Sequence, residues 1–316
     1  MKAGTRLGRY ALIEQVSEGF PGPRWAALGD GGEEDLYSAR LIDTARLDDP
    51  DAVHRLAAAA FWAVDIRHPN LEAAAEVVAT GGQLALLSTY VEGETLRAAL
   101  RRAHRDRIPF TPDIALRVAL DLLAGLAAID RAASAEADPS MLRYAAGAPG
   151  PDGVLLGLDG TVRLLDVGVG AVASAEAAWT HDPVRAGYHA PERFAGQMLD
   201  ARSDVFSVGV MLWEMLALEH LFKGLRSEKV AQALWSQEIP PLETRVRAPL
   251  PRGLSEVVHR ALEREPEARF DDHQALADAL QALDVTPASP YELADFVYRV
   301  GGRRSAERRA RLGTEP

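Results

Sequence analysis

The amino-acid sequence predicts an α+β protein whose strand-rich N-terminal third is followed by a mainly helical remainder. Up to Val91 the chain contains short apolar runs that alternate with polar residues and are separated by Gly- and Pro-rich turns. Beyond Glu92 apolar residues recur at three- and four-residue spacing, which is typical of amphipathic helices. At 316 residues the chain can bury one large core or two lobes that share a cleft.

Five strands and one helix are predicted in the N-terminal third. The helix is expected over residues 51–66, because Pro50 precedes it and the pair His68-Pro69 ends it. The strands are expected over residues 9–17, 24–29 and 35–42 and, on either side of a Thr-Gly-Gly turn, twice within 71–91.

The remainder of the chain predicts a series of helices and one long loop. The loop is residues 133–153, which are rich in small side chains. A Pro/Ser break at 286–290 precedes a last short helix and a basic end that is expected to be mobile. The predicted helices cover residues 96–104, 112–132, 202–218, 227–236, 253–263, 273–283 and 291–300.

Composition and charge exclude several classes of function. The net charge of −11 argues against non-specific nucleic-acid binding by the body of the protein. The absence of cysteine excludes disulfides, thiolate metal sites and thiol catalysis, and it predicts a cytoplasmic location. The longest stretch without formal charge, residues 77–91, has fifteen residues, which is too short for a membrane span.

The second half of the chain carries the most informative motifs. It contains VLLGLDGTVRLLDVGVG from Val154 and, further on, YHAPERFAGQMLDARSDVFSVGVMLWEML from Tyr188. These segments resemble the lower lobe of bacterial Ser/Thr protein kinases, with an Asp-x-Gly turn at Asp166, an Ala-Pro-Glu anchor ending at Glu192 and a buried helix containing Asp204. Together with the sequences HPN and YVEGETL, the resemblance extends over residues 9–283.

The resemblance implies a two-lobed protein kinase-like fold. The expected parts are an N-lobe over residues 1–91, a C-lobe over 92–285, and a C-terminal helix with a basic tail over 286–316. Three of its residues are expected to be structural. Glu192 is expected to pair with Arg269, and Asp204 is expected to tie its helix to the catalytic loop.

The resemblance also places a nucleotide cleft, but its residues depart from the family's pattern. In the phosphate loop Ser17 stands at the first glycine position, Gly19 and Gly22 hold the second and third, and Arg24 replaces a valine. At the strand lysine that holds the α- and β-phosphates, the chain has Arg40, whose alternative role is that of a solvated strand arginine. No lysine occurs between residues 3 and 222.

Further cleft positions are assigned by the same resemblance. Thr89, Tyr90 and Val91 would offer backbone groups to adenine, Glu94 lies where a ribose contact is common, and Asp166 would be a weak cation ligand. The glutamate that normally pairs with the strand lysine falls on Ala59.

The catalytic loop shows the largest departure from the family. Its His-Arg-Asp positions fall on Ala146, Gly147 and Ala148, and its metal-binding asparagine falls on Gly153. Asp152 and Asp138 lie nearby, but neither has a His-Arg-Asp setting, and Asp before Gly is commonly a turn residue. The loop therefore lacks the carboxylate that accepts the substrate's proton in this family.

These substitutions predict a pseudokinase, a regulatory or scaffolding module in bacterial Ser/Thr kinase signalling, with no cofactor expected. Its partner would be another protein, with an active Ser/Thr kinase or that kinase's substrate as the candidates. One alternative is a weak or atypical ATP-dependent kinase that uses ATP and Mg²⁺ through Arg40 and Asp166. A second is a scaffold without any ligand pocket.

Three peripheral segments leave alternatives open. Ser174 and Thr180 in the activation-like segment are either phosphate acceptors for another kinase or ordinary loop residues. The apolar stripe of residues 291–300 either caps the lower lobe or docks a partner. The basic run RRSAERRAR could contact an acidic partner, RNA or membrane lipid.

Overall fold

A six-stranded antiparallel sheet forms the N-terminal part of the protein, in the strand order β1-β2-β3-β4-β6-β5. The computed structural model describes residues 1–19, 21–31, 35–46, 50–135, 149–169, 183–222, 227–246 and 249–312. The strands are β1 (Arg6–Leu7), β2 (Tyr10–Ser17), β3 (Arg24–Leu28), β4 (Leu36–Asp43), β5 (Ala74–Thr80) and β6 (Gln83–Thr89). The five predicted strands are therefore confirmed to within a few residues.

The register of this sheet places two arginines side by side. Arg24 of β3 is directly opposite Arg40 of β4. Residues in such a pair project from the same face of a sheet, and like charges placed opposite each other are destabilising. Both side chains are buried, at 4% and 3% exposed, so each requires a carboxylate partner.

Helix α1 (Pro50–Ala63) packs against β5 and β6. It ends three residues earlier than the predicted Ile66, because the backbone tightens after Ala63. The amides of Val64, Asp65 and Ile66 each donate to the carbonyl three residues before them, instead of four.

The rest of the described chain is mainly helical. A small sheet of β7 (Gly93–Thr95), β8 (Val154–Gly157) and β9 (Val162–Leu164) lies next to it. The longest buried element is α6, which has fourteen consecutive buried residues. The helices are α2 (Leu96–Asp106), α3 (Pro112–Ala135), α4 (Pro183–Ala186), α5 (Pro191–Phe194), α6 (Ala201–Ala217), α7 (Ser227–Ser236), α8 (Leu254–Ala261), α9 (His273–Gln281) and α10 (Pro290–Leu312).

The C-terminal helix α10 is longer than expected. The sequence predicts a short helix over residues 291–300 and a mobile basic end, but the helix continues to Leu312. Alanine, arginine and glutamate after Gly302 favour this continuation. Gly301 is tolerated in the helix because the backbone passes close to β7: a Cβ there would lie 2.6 Å from Cγ of Glu94.

The apolar stripe of α10 is part of the core of the helical lobe. Leu293, Phe296 and Val297 are fully buried, and the ring of Phe296 lies 4.4 Å from that of Phe110. This burial agrees with the interpretation that residues 291–300 cap the lower lobe. Within the described ranges, no helix is both long and apolar enough to cross a bilayer.

Candidate functional site

Arg40 occupies the inner part of the predicted nucleotide cleft. Its Nε donates to Oδ1 of Asp166 at 3.0 Å, and its Nη2 lies 2.8 Å from Oδ2 of the same carboxylate. Its Nη1 donates to the carbonyl of Gly22 at 2.7 Å. The alternative of a solvated strand arginine is therefore wrong, because Arg40 is 3% exposed and its guanidinium is held by Asp166 and by the carbonyl of Gly22.

The Asp-x-Gly turn is shaped by close packing as well as by this pair. Asp166 adopts a left-handed backbone conformation with φ of +55°, and Gly168 follows with φ of +75°. A Cβ at Gly168 would lie 2.8 Å from the carbonyl oxygen of Ala59 on α1. Ala59, which stands at the family's glutamate position, therefore packs on the turn and brings no carboxylate to Arg40.

Arg24 has a separate buried partner that the sequence interpretation missed. Its guanidinium forms an ion pair with Glu72 and a hydrogen bond with Ser38, and the two charged side chains are 5% and 7% exposed. Glu72 also lies 3.5 Å from the amide of Asp166. The one available signal was that Glu72 is the first carboxylate after the HPN motif. We call Arg24, Arg40, Glu72 and Asp166 the inner cleft.

The two glycines of the phosphate loop lie against other parts of the protein. Gly22 is packed so closely on the carbonyl of Leu41 that no side chain would fit there. Gly19 has φ of +144°, and a Cβ on it would lie 3.5 Å from the carboxylate group of Asp152. Pro23 donates no amide but accepts from Leu41 at 3.0 Å. The loop is therefore folded onto β4, and Arg40 of that strand donates to the carbonyl of Gly22 in the loop.

The predicted hinge lies beside an open cavity of about 490 Å³, which we call the outer cavity. Tyr90 and Val91 line it, together with the first turns of α2 and Asp152. Thr89 does not line this cavity, and its amide donates to the carbonyl of Ala73 at 3.0 Å. Glu94, the ribose position, is 5% exposed and lies 2.7 Å from Nη1 of Arg102.

Asp152 has a partner other than a substrate hydroxyl. Its Oδ2 accepts from Nε of Arg97 at 2.6 Å, and the two side chains are 19% and 14% exposed. Gly153, at the asparagine position, ends a short turn of 3-10 helix. The predicted His-Arg-Asp positions 146–148, Asp138, Ser174 and Thr180 lie outside the described residues.

The structure brings Glu192 and Arg269 together in the helical lobe. Two guanidinium nitrogens of Arg269 each donate to one oxygen of Glu192, both at 2.8 Å, and Ser203 donates to the same carboxylate at 2.7 Å. Burial would raise the pKa of Glu192, but the hydrogen bonds from Arg269 and Ser203 outweigh it and lower that pKa. We call Glu192 and Arg269 the lower-lobe anchor.

Asp204 is fully buried and lies beside a histidine that the sequence interpretation did not identify. Nε2 of His273 lies 3.5 Å from Asp204, and its Nδ1 lies 3.0 Å from Asp130. Burial alone would lower the pKa of His273, but the two carboxylates outweigh this and raise it to about 9. The imidazolium therefore supplies positive charge next to Asp204, whereas the expected catalytic-loop partner lies outside the described residues.

This arrangement does not fit a nucleotide with its metal ion. Both oxygens of Asp166 face the Arg40 fork, so a cation could bind there only by displacing a buried guanidinium. Breaking such a buried pair costs roughly 3–5 kcal/mol, and a lone carboxylate binds Mg²⁺ weakly. Among the described residues, no three His, Asp or Glu side chains form a metal-binding group.

Comparison with known proteins places this geometry in a family. The Protein kinase domain model (Pkinase) matches residues 150–280, a match that begins after the positions assigned to His-Arg-Asp. Tyrosine-protein kinase MasK of Myxococcus xanthus is 30% identical over 283 residues, which is 87% of this chain and 43% of MasK. Serine/threonine-protein kinase PknL of Mycobacterium tuberculosis is 31% identical over 207 residues, 65% of this chain and 48% of PknL.

A solved structure agrees on the fold. The crystal structure of the Mycobacterium tuberculosis PknI kinase domain superposes with a TM-score of 0.64 at 20% identity, covering 89% of this chain and 98% of that one. The chain spans less than half the length of the curated relatives described above. From the fold, the family match and these relatives together, we conclude that the chain belongs to the protein kinase-like family.

Proposed function

We propose that this chain is a catalytically inactive, pseudokinase-type member of its family that acts as a regulatory or scaffolding module in bacterial Ser/Thr kinase signalling. The observation that carries the proposal is the ion pair between Arg40 and Asp166, whose side chains are 3% and 8% exposed. In an active kinase the corresponding lysine and aspartate serve the phosphates and a metal ion. Here the two residues neutralise each other.

A second line of support is the position of the phosphate loop. Its backbone must be free to approach phosphate if it is to cradle a nucleotide. Arg40 instead binds the carbonyl of Gly22, and Gly22 packs on Leu41. Opening the loop would break these contacts along with the ion pair. Phosphoryl transfer depends almost entirely on positioning and electrostatic stabilisation. In the inner cleft the charged side chains pair with each other, Arg24 with Glu72 and Arg40 with Asp166, so they are not available to stabilise a phosphate.

The proposal assigns the protein's role to its surfaces. The helical lobe is held together by the lower-lobe anchor, by the buried helix α6 and by the packed C-terminal helix α10. Its surface is therefore fixed in shape whether or not a nucleotide is bound. The relatives carry the names of protein kinases. We therefore propose a protein partner, with an active Ser/Thr kinase or that kinase's substrate as the candidates.

A phosphotransfer assay tests the loss of chemistry. Purified protein is incubated with radiolabelled ATP, with Mg²⁺ or Mn²⁺, and with generic protein substrates. We expect no label on the protein or on the substrates, and the same result for Asp166→Ala. Transfer by the wild type that Asp166→Ala abolishes would overturn the proposal and favour the weak or atypical ATP-dependent kinase.

A reconstitution assay tests the regulatory role. The chain is added in stoichiometric excess to the kinase domain of an active bacterial Ser/Thr kinase from the same cell, and that domain's phosphorylation of itself and of its substrate is measured. We expect either rate to change when the chain is present, and Asp166→Ala to act like the wild type. Unchanged rates for every such kinase of the cell would contradict this role.

A further inference from the structure

We infer that the exposed face of α10 is a dimer interface, where the helix packs against α10 of a second copy of this chain in the antiparallel direction. The opposite face of α10 is buried in the helical lobe through Leu293, Phe296 and Val297. The exposed face carries Tyr291 and Tyr298, whose relative exposures are 82% and 63%. Tyrosine is enriched at protein–protein interfaces, and two on one helix face are more than a scattered exposed residue.

The exposed face is a regular stripe along the helix. Each residue turns the helix by 100°, so positions 291, 295, 298, 302, 305 and 309 lie within about 40° of one line. The first three residues are exposed in the structure, and helical periodicity places the last three on the same line. The residues at these positions are Tyr291, Asp295, Tyr298, Gly302, Ser305 and Arg309.

The stripe is self-complementary when a second copy is related to the first by a two-fold axis. With position 300 at the axis, each stripe residue meets the one that is equally far from position 300 on the other copy. An arginine then stacks on an aromatic ring, a serine donates to a carboxylate, and a glycine leaves room for a ring. The pairs, each of which occurs twice, are Tyr291 with Arg309, Asp295 with Ser305, and Tyr298 with Gly302.

The charge along α10 selects the antiparallel direction. Residues 290–298 contain two acidic side chains and no basic one, a formal charge of −2. Residues 299–312 contain six arginines and one glutamate, a formal charge of +5. Two helices that run in the same direction would place the two basic ends side by side, whereas the antiparallel arrangement places each basic end beside an acidic one. The acidic partner of the basic end is therefore the start of α10 in a second copy.

Gly302 supports the same arrangement. Glycine inside a helix is destabilising relative to alanine, so it requires a compensating contact. For Gly301 that contact is with Glu94, because a Cβ on the glycine would lie 2.6 Å from Cγ of the glutamate. By periodicity Gly302 belongs to the outward stripe instead, and the ring of Tyr298 from a second copy would pack on it.

Sedimentation velocity of the full chain over a range of concentrations tests the interface. Because one helix from each copy makes the whole contact, we expect a weak, reversible dimer that weakens further as salt is raised. Tyr291→Ala should weaken the dimer about tenfold, because two cation–π contacts are lost at once. A wild type that is still monomeric at about 1 mM would overturn the inference, whether or not its basic end binds RNA or anionic vesicles.

A charge exchange tests the direction of pairing. Arg309→Glu should weaken the dimer about tenfold or more, and the addition of Tyr291→Arg should restore most of it, because an arginine of one copy then faces a glutamate of the other. Within one copy the two positions are roughly 27 Å apart along the helix, so this rescue cannot arise inside a monomer. A double variant that dimerises no better than Arg309→Glu would overturn the antiparallel pairing.

Arg311→Glu is the matched control for the charge. It makes the same change two residues further on, where the helix has turned by about 200° away from the stripe. We expect this variant to dimerise nearly as well as the wild type. Equal losses in Arg309→Glu and Arg311→Glu would show a general charge effect and overturn the inference.

Gly302→Leu tests the contact at the centre of the stripe. The new side chain would fill the space that Tyr298 of the second copy requires, so the dimer should weaken about tenfold or more. The monomer, measured by urea titration at a concentration where the wild type does not associate, should be at least as stable as the wild type because leucine favours helix. A dimer that tolerates this leucine would overturn the inference.

The outcome is separable from that of the proposed function. The stripe lies on α10, and neither Arg40 nor Asp166 takes part in it. A dimer that Arg309→Glu disrupts supports the interface whether or not the phosphotransfer assay detects activity. Label transfer that Asp166→Ala abolishes would contradict the proposed function whether or not the chain dimerises.

Discussion

The lower-lobe anchor and the inner cleft both bury an arginine against a carboxylate, yet they differ in what the pairing does. Arg269 and Glu192 form the pairing that the family resemblance implies, and the pair fastens one part of the helical lobe to another. Arg40 stands at the position that the resemblance assigns to a lysine, and under the proposed function it takes the carboxylate that the resemblance assigns to a metal ion. The comparison teaches that one kind of contact can stabilise the fold in one region and, under the proposed function, remove chemistry in another.

The largest effect is expected at the lower-lobe anchor. Glu192→Ala leaves Arg269, which is 1% exposed, with its charge buried and uncompensated. The free energy of unfolding should fall by roughly 3–5 kcal/mol in urea titrations. A loss below about 1 kcal/mol, typical of a surface pair, would show that the anchor does not hold the lobe together.

A somewhat smaller loss of stability is expected when the ion pair of the inner cleft is broken. Arg40→Ala should lower the free energy of unfolding by about 3 kcal/mol, because Asp166 is left without its partner next to the Glu72 carboxylate.

Arg40→Lys is the matched variant for this position. It keeps the charge but cannot make the forked contact with Asp166. Its free energy of unfolding should therefore lie between those of the wild type and Arg40→Ala in the same titrations. If Arg40→Ala were as stable as the wild type, the cleft would not be held closed by this pair.

The third effect depends on pH and concerns His273. Its pKa is about 9 in the folded protein, against an ordinary value of 6.5 for histidine, so the folded state holds the proton more tightly. Its contribution is fully present below pH 6.5 and is lost as the pH rises toward 9. The free energy of unfolding should fall by about 2–3 kcal/mol over that interval. In His273→Gln this pH-dependent fall should disappear; if it stayed, other groups would cause it.

The sequence predicts the elements well because they follow from local patterns, whereas the Glu192–Arg269 pairing was implied by the family resemblance. Alternating apolar runs identify the strands of the sheet, and the Ala-Pro-Glu motif identifies Glu192 as one half of the anchor. The partners within the cleft could not be read in the same way. Arg24 and Glu72 are 48 residues apart. Their contact depends on how the segment before β5 lies beside β3, which no single motif encodes.

His273 illustrates the same limit in the helical lobe. Periodicity places it at the start of a predicted helix but does not reveal that two carboxylates from α3 and α6 converge on it. The length of α10 was missed for a different reason. Two consecutive glycines normally end a helix, but here the close approach of Gly301 to Glu94 requires a residue without a side chain.

The most direct test of the closed inner cleft is a thermal unfolding titration of the wild-type protein with ATP and Mg²⁺. A ligand at about 100 times its Kd would stabilise the fold by about 2.7 kcal/mol and raise Tm by roughly 4 °C. We expect no change in Tm at any concentration of the metal–nucleotide complex. A dose-dependent rise in Tm that requires Mg²⁺ and is lost in Asp166→Ala would contradict the account.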